Sequence, residues 1–255
     1  MIRELLVVSY NVLADAYINP DFYPHSPREA LEPFARLPRL VQRIVDLGAD
    51  VLCLQEVEER ALEVLEPRLA MGRYAGYWTQ KGRGRPDGCA LFVRAPAVLI
   101  ARQELRYGDG SGHIAQIARL DIGRLPVVVA NTHLKWTPPG APPADRWADR
   151  QVAELLSVLV TEPRAIVCGD FNVEPGSTPH AALVAAGFVD AHPAALPTCN
   201  PHQQAKKVDF VLARGAARLE PRGMPSLQDT TPMPSPSEPS DHLPLGAAIA
   251  FEAES

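Results

Sequence analysis

The stretch Arg164-Ala165-Ile166-Val167-Cys168-Gly169-Asp170-Phe171-Asn172 decides how the rest of the chain is organised. Its apolar run, residues 165–168, predicts a short strand that is buried on both faces. Asp170 and Asn172 are two residues apart, so their side chains point to the same side of an extended chain. A carboxylate there can bind a metal or take a proton from water, and an amide can hold a phosphoryl oxygen. Taken alone, the stretch still favours a strand that ends in a simple Asx turn.

Polar side chains of the same kinds stand at the ends of several other apolar runs. A single histidine or aspartate at a strand end usually caps a turn or faces water, but six such ends in one chain favour a shared site. Strand ends at one edge of a sheet converge, and open α/β sheets bind their ligands there. The residues concerned are Asn11, Glu56, Asn131, His133, Asp170, Asn172, Asp209, Asp241 and His242.

The residue types in this set agree on one kind of chemistry. Carboxylate and amide oxygens suit Mg²⁺ or Mn²⁺, which are hard ions that prefer oxygen ligands. Two histidines and a separate aspartate supply proton transfer and a group that orients an imidazole. The sequence has neither a Gly-x-Ser-x-Gly nucleophile motif nor a Gly-rich P-loop with its lysine. The set therefore predicts metal-assisted attack of water on a phosphoester.

Composition and charge argue against several other classes of protein. A length of 255 residues, 46% of them hydrophobic, predicts one α/β domain over residues 1–255. The net charge of -5 argues against a protein that coats long duplex nucleic acid, but permits a small phosphorylated substrate or a single-strand end. The four cysteines show no CxxC spacing, so neither a zinc site nor a disulfide scaffold is expected. We find no signal peptide and no apolar run of ~20 residues, so we expect a cytoplasmic protein without membrane contact.

Apolar periodicity predicts an alternation of strands and helices along the chain. Strands are expected over 5–13, 50–57, 74–79, 87–93, 98–106, 114–121, 126–134, 165–168, 206–212 and 240–251. Helices are expected over 40–47, 59–70, about 144–160 and 178–186, and irregular loops over 15–38 and 221–240.

In chain order, the strand-end motifs resemble those of the endonuclease/exonuclease/phosphatase superfamily. The Tyr-Asn-Val-Leu-Ala-Asp opening at 10–15 and Pro-Asp-Gly-Cys-Ala-Leu-Phe at 86–92 are similar to one branch, the deadenylases, nocturnin and the Angel proteins. The sequence lacks the leucine-rich repeats of the eukaryotic deadenylases, so no obligate protein partner is expected. The motifs are Ser-Tyr-Asn-Val-Leu at 9–13, Leu-Gln-Glu-Val at 54–57, Asn-Thr-His-Leu at 131–134, Gly-Asp-Phe-Asn at 169–172, Val-Asp-Phe at 208–210 and Ser-Asp-His at 240–242.

The resemblance implies a fold and a metal site. The implied fold is α/β, a four-layer sandwich of two packed mixed β-sheets flanked by helices. Glu56 is implied to be the principal ligand of Mg²⁺, with Mn²⁺ as a possible substitute. Asn11 is implied to help hold the metal or the phosphate, and Asp241 to hold a second ion.

The resemblance also implies catalytic roles for five residues. Asp170 would orient and deprotonate the attacking water. Asn172 and His133 would stabilise the charge that builds on the phosphoryl oxygens. His242, held by Asp209, would complete the site as a base, an acid or an electrostatic stabiliser.

Two further segments contain candidate substrate-binding residues. Lys81, Arg83 and Arg85 lie in a basic, glycine-containing loop, which is either a cationic rim for substrate phosphates or a solvated hairpin turn. Trp136, next to Lys135, either stacks on a base or anchors its loop.

Together these features predict a Mg²⁺-dependent phosphoesterase that acts on a single-stranded RNA end or a small nucleotide. Our first hypothesis is a deadenylase-like 3′ exoribonuclease. The alternative is a phosphatase for 2′-phosphates or 2′,3′-cyclic phosphates. An abasic-site DNA endonuclease would need a more basic surface, and a lipid phosphodiesterase an apolar membrane-facing loop. An inactive binding module would be expected to lack at least one site residue, and none is replaced.

Overall fold

The strands and helices come from a computed structural model, which describes residues 2–138, 140–142 and 145–252. The strands are β1 (Ile2–Asn11), β2 (Val51–Glu58), β3 (Tyr74–Gln80), β4 (Asp87–Arg94), β5 (Val98–Arg106), β6 (Ile114–Asp121), β7 (Pro126–His133), β8 (Ala165–Asp170), β9 (Val189–Asp190), β10 (Asp209–Arg214), β11 (Arg218–Pro221) and β12 (Leu245–Glu252). The α-helices are α1 (Arg28–Leu31), α2 (Pro33–Asp46), α3 (Glu59–Met71), α4 (Trp147–Leu159) and α5 (Thr178–Ala185).

The strands form two six-stranded sheets of mixed direction. The first sheet has the order β11-β12-β1-β2-β4-β3, and the second has the order β5-β6-β7-β8-β10-β9. One central pair in each sheet is parallel, β1 with β2 and β7 with β8, and the other pairs are antiparallel. This arrangement confirms the predicted pair of mixed sheets.

Alternate residues of each strand contribute to different layers of the core. In β2, Val51 and Cys53 join the apolar cluster between the two sheets. Leu52 and Leu54 point the other way and pack in a cluster with residues of α2 and α3. The second sheet is covered in the same way by α4 and α5. This period-2 division of apolar side chains produces the four layers that the family resemblance implied.

The first long helix starts earlier than its apolar spacing predicts. It begins at Pro33, inside the segment 15–38 that reads as a loop. Proline is favoured at the first helical position, because its missing N–H would be unpaired there anyway.

Within the described residues, no helix combines the length and apolar composition needed to cross a bilayer.

Other boundaries also differ from expectation. The last strand, β12, begins at Leu245 rather than at residue 240. Strand β10 begins at Asp209 rather than at residue 206. The short edge strands β9 and β11 were not predicted. Helix α4 begins at Trp147, whereas its predicted start near 144 lies outside the described residues.

Strand register in the second sheet brings three of the predicted site residues side by side. His133 on β7 is paired with Asp170 on β8, and Asp170 is paired with Asp209 on β10. The approach of β7 to β8 requires a glycine at position 169, since a Cβ there would lie 1.7 Å from the Thr132 carbonyl oxygen. The stretch 164–172 thus holds its aspartate between an imidazole and a second carboxylate.

Candidate active site

Asn11 connects the two sheets at the edge where the strand ends converge. Its amide nitrogen donates to Glu56 Oε1 and to Asp170 Oδ2, both at 3.0 Å. Its oxygen accepts from the backbone N–H of Leu13, also at 3.0 Å. The amide therefore holds the two carboxylates together. Direct metal ligation by Asn11 remains a prediction, because its oxygen is turned towards the backbone.

A β-bulge directs Glu56 into the site. The register between β2 and β4 shifts between Leu54 and Val57, and Glu56 has a φ of 58°. Such a conformation is unfavourable for a residue with a Cβ and is typical of functional positions. The backbone N–H of Ala14 donates to Glu56 Oε2 at 3.0 Å. Burial raises the pKa of Glu56, so a nearby cation would relieve the cost of its charge.

Asp170 lies between two imidazoles. Its Oδ2 is 3.6 Å from His133 Nε2 and 3.8 Å from His242 Nε2, and its Oδ1 accepts from the N–H of Asn172 at 2.9 Å. The residue is 2% exposed. Burial is the main cause that raises the pKa of Asp170 to about 7, and His242 partly opposes it. A carboxylate with a pKa near neutrality suits a group that takes a proton from water.

His242 is a buried cation held by carboxylates. Its Nδ1 lies 2.9 Å from Asp209 Oδ2, an oxygen that also accepts from the Thr198 hydroxyl at 2.6 Å. Burial alone would lower the pKa of His242, but Asp209, Asp170 and Asp241 together raise it well above its ordinary value. The sequence did not indicate Thr198, since a lone threonine before an irregular loop carries no distinctive signal.

Asp241 provides a test of whether the site suits a hard cation. Its Oδ2 accepts from the Tyr23 hydroxyl at 3.0 Å, while its Oδ1 is buried and has no hydrogen-bond partner. An unpartnered buried carboxylate oxygen is costly in the absence of a cation. Among the described residues, Glu56, His133 and Asp170 also bring potential ligand atoms within 4.8 Å of one another. These oxygen-rich surroundings fit Mg²⁺ or Mn²⁺.

A thiol-containing group lies beside these carboxylates. Cys199, Asp209 and His242 also bring potential ligand atoms within 4.8 Å of one another. However, His242 and Asp209 already bind each other, and burial raises the pKa of the Cys199 thiol well above its ordinary value. This group is therefore a poor match for the hard ion that the oxygen ligands favour.

Asn172 and His133 form the remaining side of the site. The Asn172 amide nitrogen lies 3.0 Å from His133 Nε2 and donates to the Leu134 carbonyl at 3.0 Å. Burial, reinforced by the charge of Lys81, lowers the pKa of His133 well below its ordinary value. His133 is therefore a neutral imidazole, in contrast to His242.

A family model described as the Endonuclease/Exonuclease/phosphatase family matches residues 8–242. The chain belongs to this family. Its members hydrolyse phosphoester bonds, so the protein is a phosphoester hydrolase, as the strand-end motifs predicted.

The relatives of this phosphoesterase match the predicted branch of the family. Carbon catabolite repressor protein 4 homolog 4 of Arabidopsis thaliana is 23% identical, over 97% of this chain and 78% of its own length. Protein angel homolog 2 of Homo sapiens is 30% identical over 68% of this chain, which corresponds to only 36% of that relative.

Solved structures of the same branch share the fold. A crystal structure of ANGEL2, described as a 2′,3′-cyclic phosphatase, has a TM-score of 0.84 at 20% identity and covers 99% of this chain and 96% of its own. The human Nocturnin catalytic domain, with a bound sulfate anion, has a TM-score of 0.76 at 24% identity, covering 98% and 94%.

Asn131 of the phosphoesterase is a structural residue. Its amide nitrogen donates to the backbone carbonyls of Leu54 and Ala90 in the first sheet, both at 3.1 Å. Its oxygen accepts from Gln55 at 2.7 Å. The side chain thus bonds the two sheets to each other beneath the site, and the strand-end pattern did not distinguish this role from a catalytic one.

Lys81 does not lie on an exposed rim, as the basic loop had suggested. Its side chain is 1% exposed and forms an ion pair with Asp87 at 2.6 Å. The sequence missed Asp87 as a site residue because it opens an apolar strand. Arg83 is exposed and Arg85 is half-buried, so these two remain candidates for a cationic rim.

Lys135 packs on a tryptophan that the sequence did not single out. Its Nζ lies 3.6 Å from the centroid of the Trp147 ring, and the Arg150 guanidinium lies 4.8 Å from the same ring. Trp136 is 51% exposed, which leaves its ring accessible to a substrate base. The roles of Lys135 and Trp136 in substrate binding remain predictions.

Proposed function

We propose that this protein is a Mg²⁺-dependent phosphoesterase that acts on RNA ends or nucleotides. The observation that supports it best is the convergence of Glu56 and Asp170 on one amide, that of Asn11, at 3.0 Å. Two carboxylates held this close repel each other, and a metal ion bound beside them would offset that repulsion. The neighbouring imidazoles and amides supply the other groups that phosphoester hydrolysis requires.

Each side chain has a role in this proposal. Glu56 and Asp241 would hold Mg²⁺, which supplies charge neutralisation at the phosphoryl oxygens when bound. Asp170 would accept the proton of the attacking water, for which its pKa of about 7 is suited. The His242 cation would stabilise negative charge that develops in the transition state, and Asp209 would keep it oriented and charged.

The first candidate substrate is the 3′ end of single-stranded RNA, cleaved in the manner of a deadenylase. It is supported by the motifs at 10–15 and 86–92 and by a carbon catabolite repressor 4 homologue similar over 97% of the chain. A strand of this kind would pass the exposed Arg83 and Trp136.

The second candidate is a 2′- or 2′,3′-cyclic phosphate. A specific observation favours it: burial of Lys81 removes one of the three cations predicted for an RNA-guiding rim. The similarity to ANGEL2, described as a 2′,3′-cyclic phosphatase, points in the same direction.

A substrate panel separates these candidates. Poly(A), mixed-sequence RNA, RNA ending in a 2′,3′-cyclic phosphate, NADP and abasic duplex DNA would be incubated with enzyme and Mg²⁺. Chain shortening of poly(A) would support the exonuclease. Opening or loss of the cyclic phosphate without shortening would support the phosphatase, and inertness towards all five would contradict the proposed function.

Metal removal should abolish turnover on whichever substrate is cleaved. EDTA is expected to reduce the rate to background, and added Mg²⁺ or Mn²⁺ should restore it. Ca²⁺ should not, because it prefers a larger and more flexible oxygen cage than Mg²⁺. Full activity in EDTA would contradict the metal role of Glu56.

The double substitution Arg83→Gln and Arg85→Gln tests the rim. Neither arginine is among the proposed metal-binding or catalytic residues, so kcat should change little. KM for a long oligonucleotide should rise several-fold, and less so at high salt because screened charges attract phosphate weakly. KM for a mononucleotide-sized substrate serves as the control and should not change. An equal rise for both substrates would assign these arginines to the scissile phosphate.

A further inference from the structure

A buried ion pair lies directly behind His133. Lys81 and Asp87 have side chains that are 1% and 0% exposed, and Lys81 Nζ is 2.6 Å from Asp87 Oδ2. The other carboxylate oxygen of Asp87 accepts from the Tyr17 hydroxyl at 2.7 Å. The same Lys81 Nζ lies 3.1 Å from Nδ1 of His133. The lysine is thus anchored on one side and contacts a catalytic imidazole on the other.

The hydrogen-bonding capacity of these groups determines where His133 carries its proton. An ammonium group has donors and no acceptor, so Nδ1 must accept from Lys81. A neutral imidazole has one accepting nitrogen and one N–H. The ring proton therefore belongs on Nε2, the nitrogen that faces the site.

On that side, His133 meets a second donor. The Asn172 amide nitrogen is 3.0 Å from Nε2, so it would compete with Lys81 for the single acceptor of the ring. Lys81 has the advantage because a charged donor makes the stronger hydrogen bond. Asn172 retains another acceptor, the Leu134 carbonyl at 3.0 Å.

The outcome is a pair of adjacent N–H groups, on His133 and Asn172, with no acceptor between them. Asp170 Oδ2, at 3.6 Å from Nε2, is too distant for a hydrogen bond. A single oxygen atom that faces the pair would accept from both donors. Donors aimed at a site where negative charge develops are an effective means of stabilising a transition state.

We propose that Lys81, anchored by Asp87, is a positioning residue that holds His133 as its Nε2–H tautomer and so creates this donor pair. The identity of the acceptor as a phosphoryl oxygen rests on the proposed function, whereas the tautomer does not. The proposal also excludes His133 Nε2 as a metal ligand, because ligation requires a lone pair on that nitrogen. Glu56 and Asp241 would then bind the ion without His133.

The tautomer can be measured directly on the protein without substrate or metal. Two-dimensional ¹H–¹⁵N spectra of histidine-labelled protein distinguish Nε2–H from Nδ1–H rings, with His133→Gln used to assign the signal. Wild type should show Nε2–H. Lys81→Met should shift the proton to Nδ1, because Asn172 becomes the only donor facing the ring. Arg83→Gln, a change to an exposed cation of the same loop, should leave the spectrum unchanged.

Kinetics provide the second readout. Lys81→Met should lower kcat by about 10²-fold, the usual cost of one donor to a developing oxyanion, and leave KM within about twofold. If the orphaned Asp87 prevents folding, Lys81→Met combined with Asp87→Asn removes both charges and should give the same spectrum and the same kcat. A wild-type Nδ1–H ring, or a tautomer that is unchanged when Lys81 is replaced in a folded variant, would overturn the proposal.

These outcomes are separate from failure of the proposed function. An enzyme inert towards the whole substrate panel would refute the proposed function, yet its spectrum would still decide the tautomer. A rise in KM with kcat unchanged would instead make Lys81 a substrate-binding residue and contradict its positioning role.

Discussion

Replacing His242 with alanine is expected to lower kcat by more than ~10²-fold and to destabilise the fold. His242 is the cation between Asp209, Asp170 and Asp241, and without it these buried carboxylates lose their counter-charge. Removing one member of a buried charge pair typically costs about 3–5 kcal/mol. Mg²⁺ should recover part of this loss, because it restores positive charge to the cluster. Thermal unfolding with and without Mg²⁺, together with initial rates, measures both effects.

The pH dependence of stability follows from the direction of the shift. The pKa of His242 is raised above its ordinary value of 6.5 in the folded protein. Its stabilising contribution is therefore fully present below pH 6.5 and is lost as the pH rises through the folded pKa. The alanine variant should therefore not show the loss of folding stability that wild type shows as the pH rises through the folded pKa of His242.

His180→Ala is a matched control for that experiment. His180 also lies near a carboxylate, with its Nε2 at 3.9 Å from Asp190 Oδ2, but it is on α5 and outside the cluster. Its replacement should leave kcat and the effect of Mg²⁺ on stability unchanged. Wild-type turnover by His242→Ala would show that the catalytic assignment is wrong.

The change Glu56→Gln should also lower kcat by more than ~10²-fold, with a different effect on stability. Glutamine keeps the shape of the side chain but removes the charge that would hold the ion. Burial raises the pKa of Glu56, so removing its charge is favourable, but the glutamine amide leaves one of the two donors to Glu56, Asn11 or the Ala14 N–H, without an acceptor. The metal-free variant should therefore unfold close to the wild-type temperature. Mg²⁺ should raise the unfolding temperature of wild type and have little effect on this variant.

Glu58→Gln provides the comparison for Glu56. Glu58 lies on the same strand and accepts from the backbone N–H groups of Asp15 at 2.8 Å and Ala16 at 3.3 Å, away from the cluster. Its substitution should retain activity and the stabilisation by Mg²⁺. Equal losses of activity and of Mg²⁺ stabilisation in both variants would show that these properties depend on the structure of this segment and not on the Glu56 carboxylate itself.

Strand ends were predictable from the sequence because burial on both faces leaves an unbroken apolar run. The run before Asp170 and the similar runs before Glu56 and His133 identified the central strands, and the register brought His133, Asp170 and Asp209 together. The short edge strands β9 and β11 were missed because two to four residues are too few to show a period.

Helix α2 shows a different limit of sequence reading. Its first turns contain Pro33 and Pro38, residues that usually indicate loops, so the pattern became recognisable only from residue 40 onwards. The helix still forms, since its later apolar residues pack on the first sheet. The burial of these apolar residues against the sheet thus outweighed the local preference of the two prolines for a loop.

The burial of Lys81 could not be predicted because it depends on how the fold places its loop against His133, which is distant in sequence. A lysine in a glycine-containing basic loop reads as solvated, and its neighbours Arg83 and Arg85 strengthen that interpretation. Only the fold shows that Asp87 and His133 enclose its ammonium group, at 2.6 and 3.1 Å.

Asn131, by contrast, matched the strand-end pattern but bonds the sheets together.

A crystal structure with Mn²⁺ and a non-hydrolysable oligonucleotide tests the central claim most directly, because anomalous scattering locates the ion. We predict an ion about 2 Å from a Glu56 carboxylate oxygen, with a phosphoryl oxygen on the ion. A phosphoryl oxygen should also lie within about 3 Å of both His133 Nε2 and the Asn172 amide nitrogen. An ion bound by Cys199, Asp209 and His242 instead, or a phosphate held away from Asp170, would contradict the account.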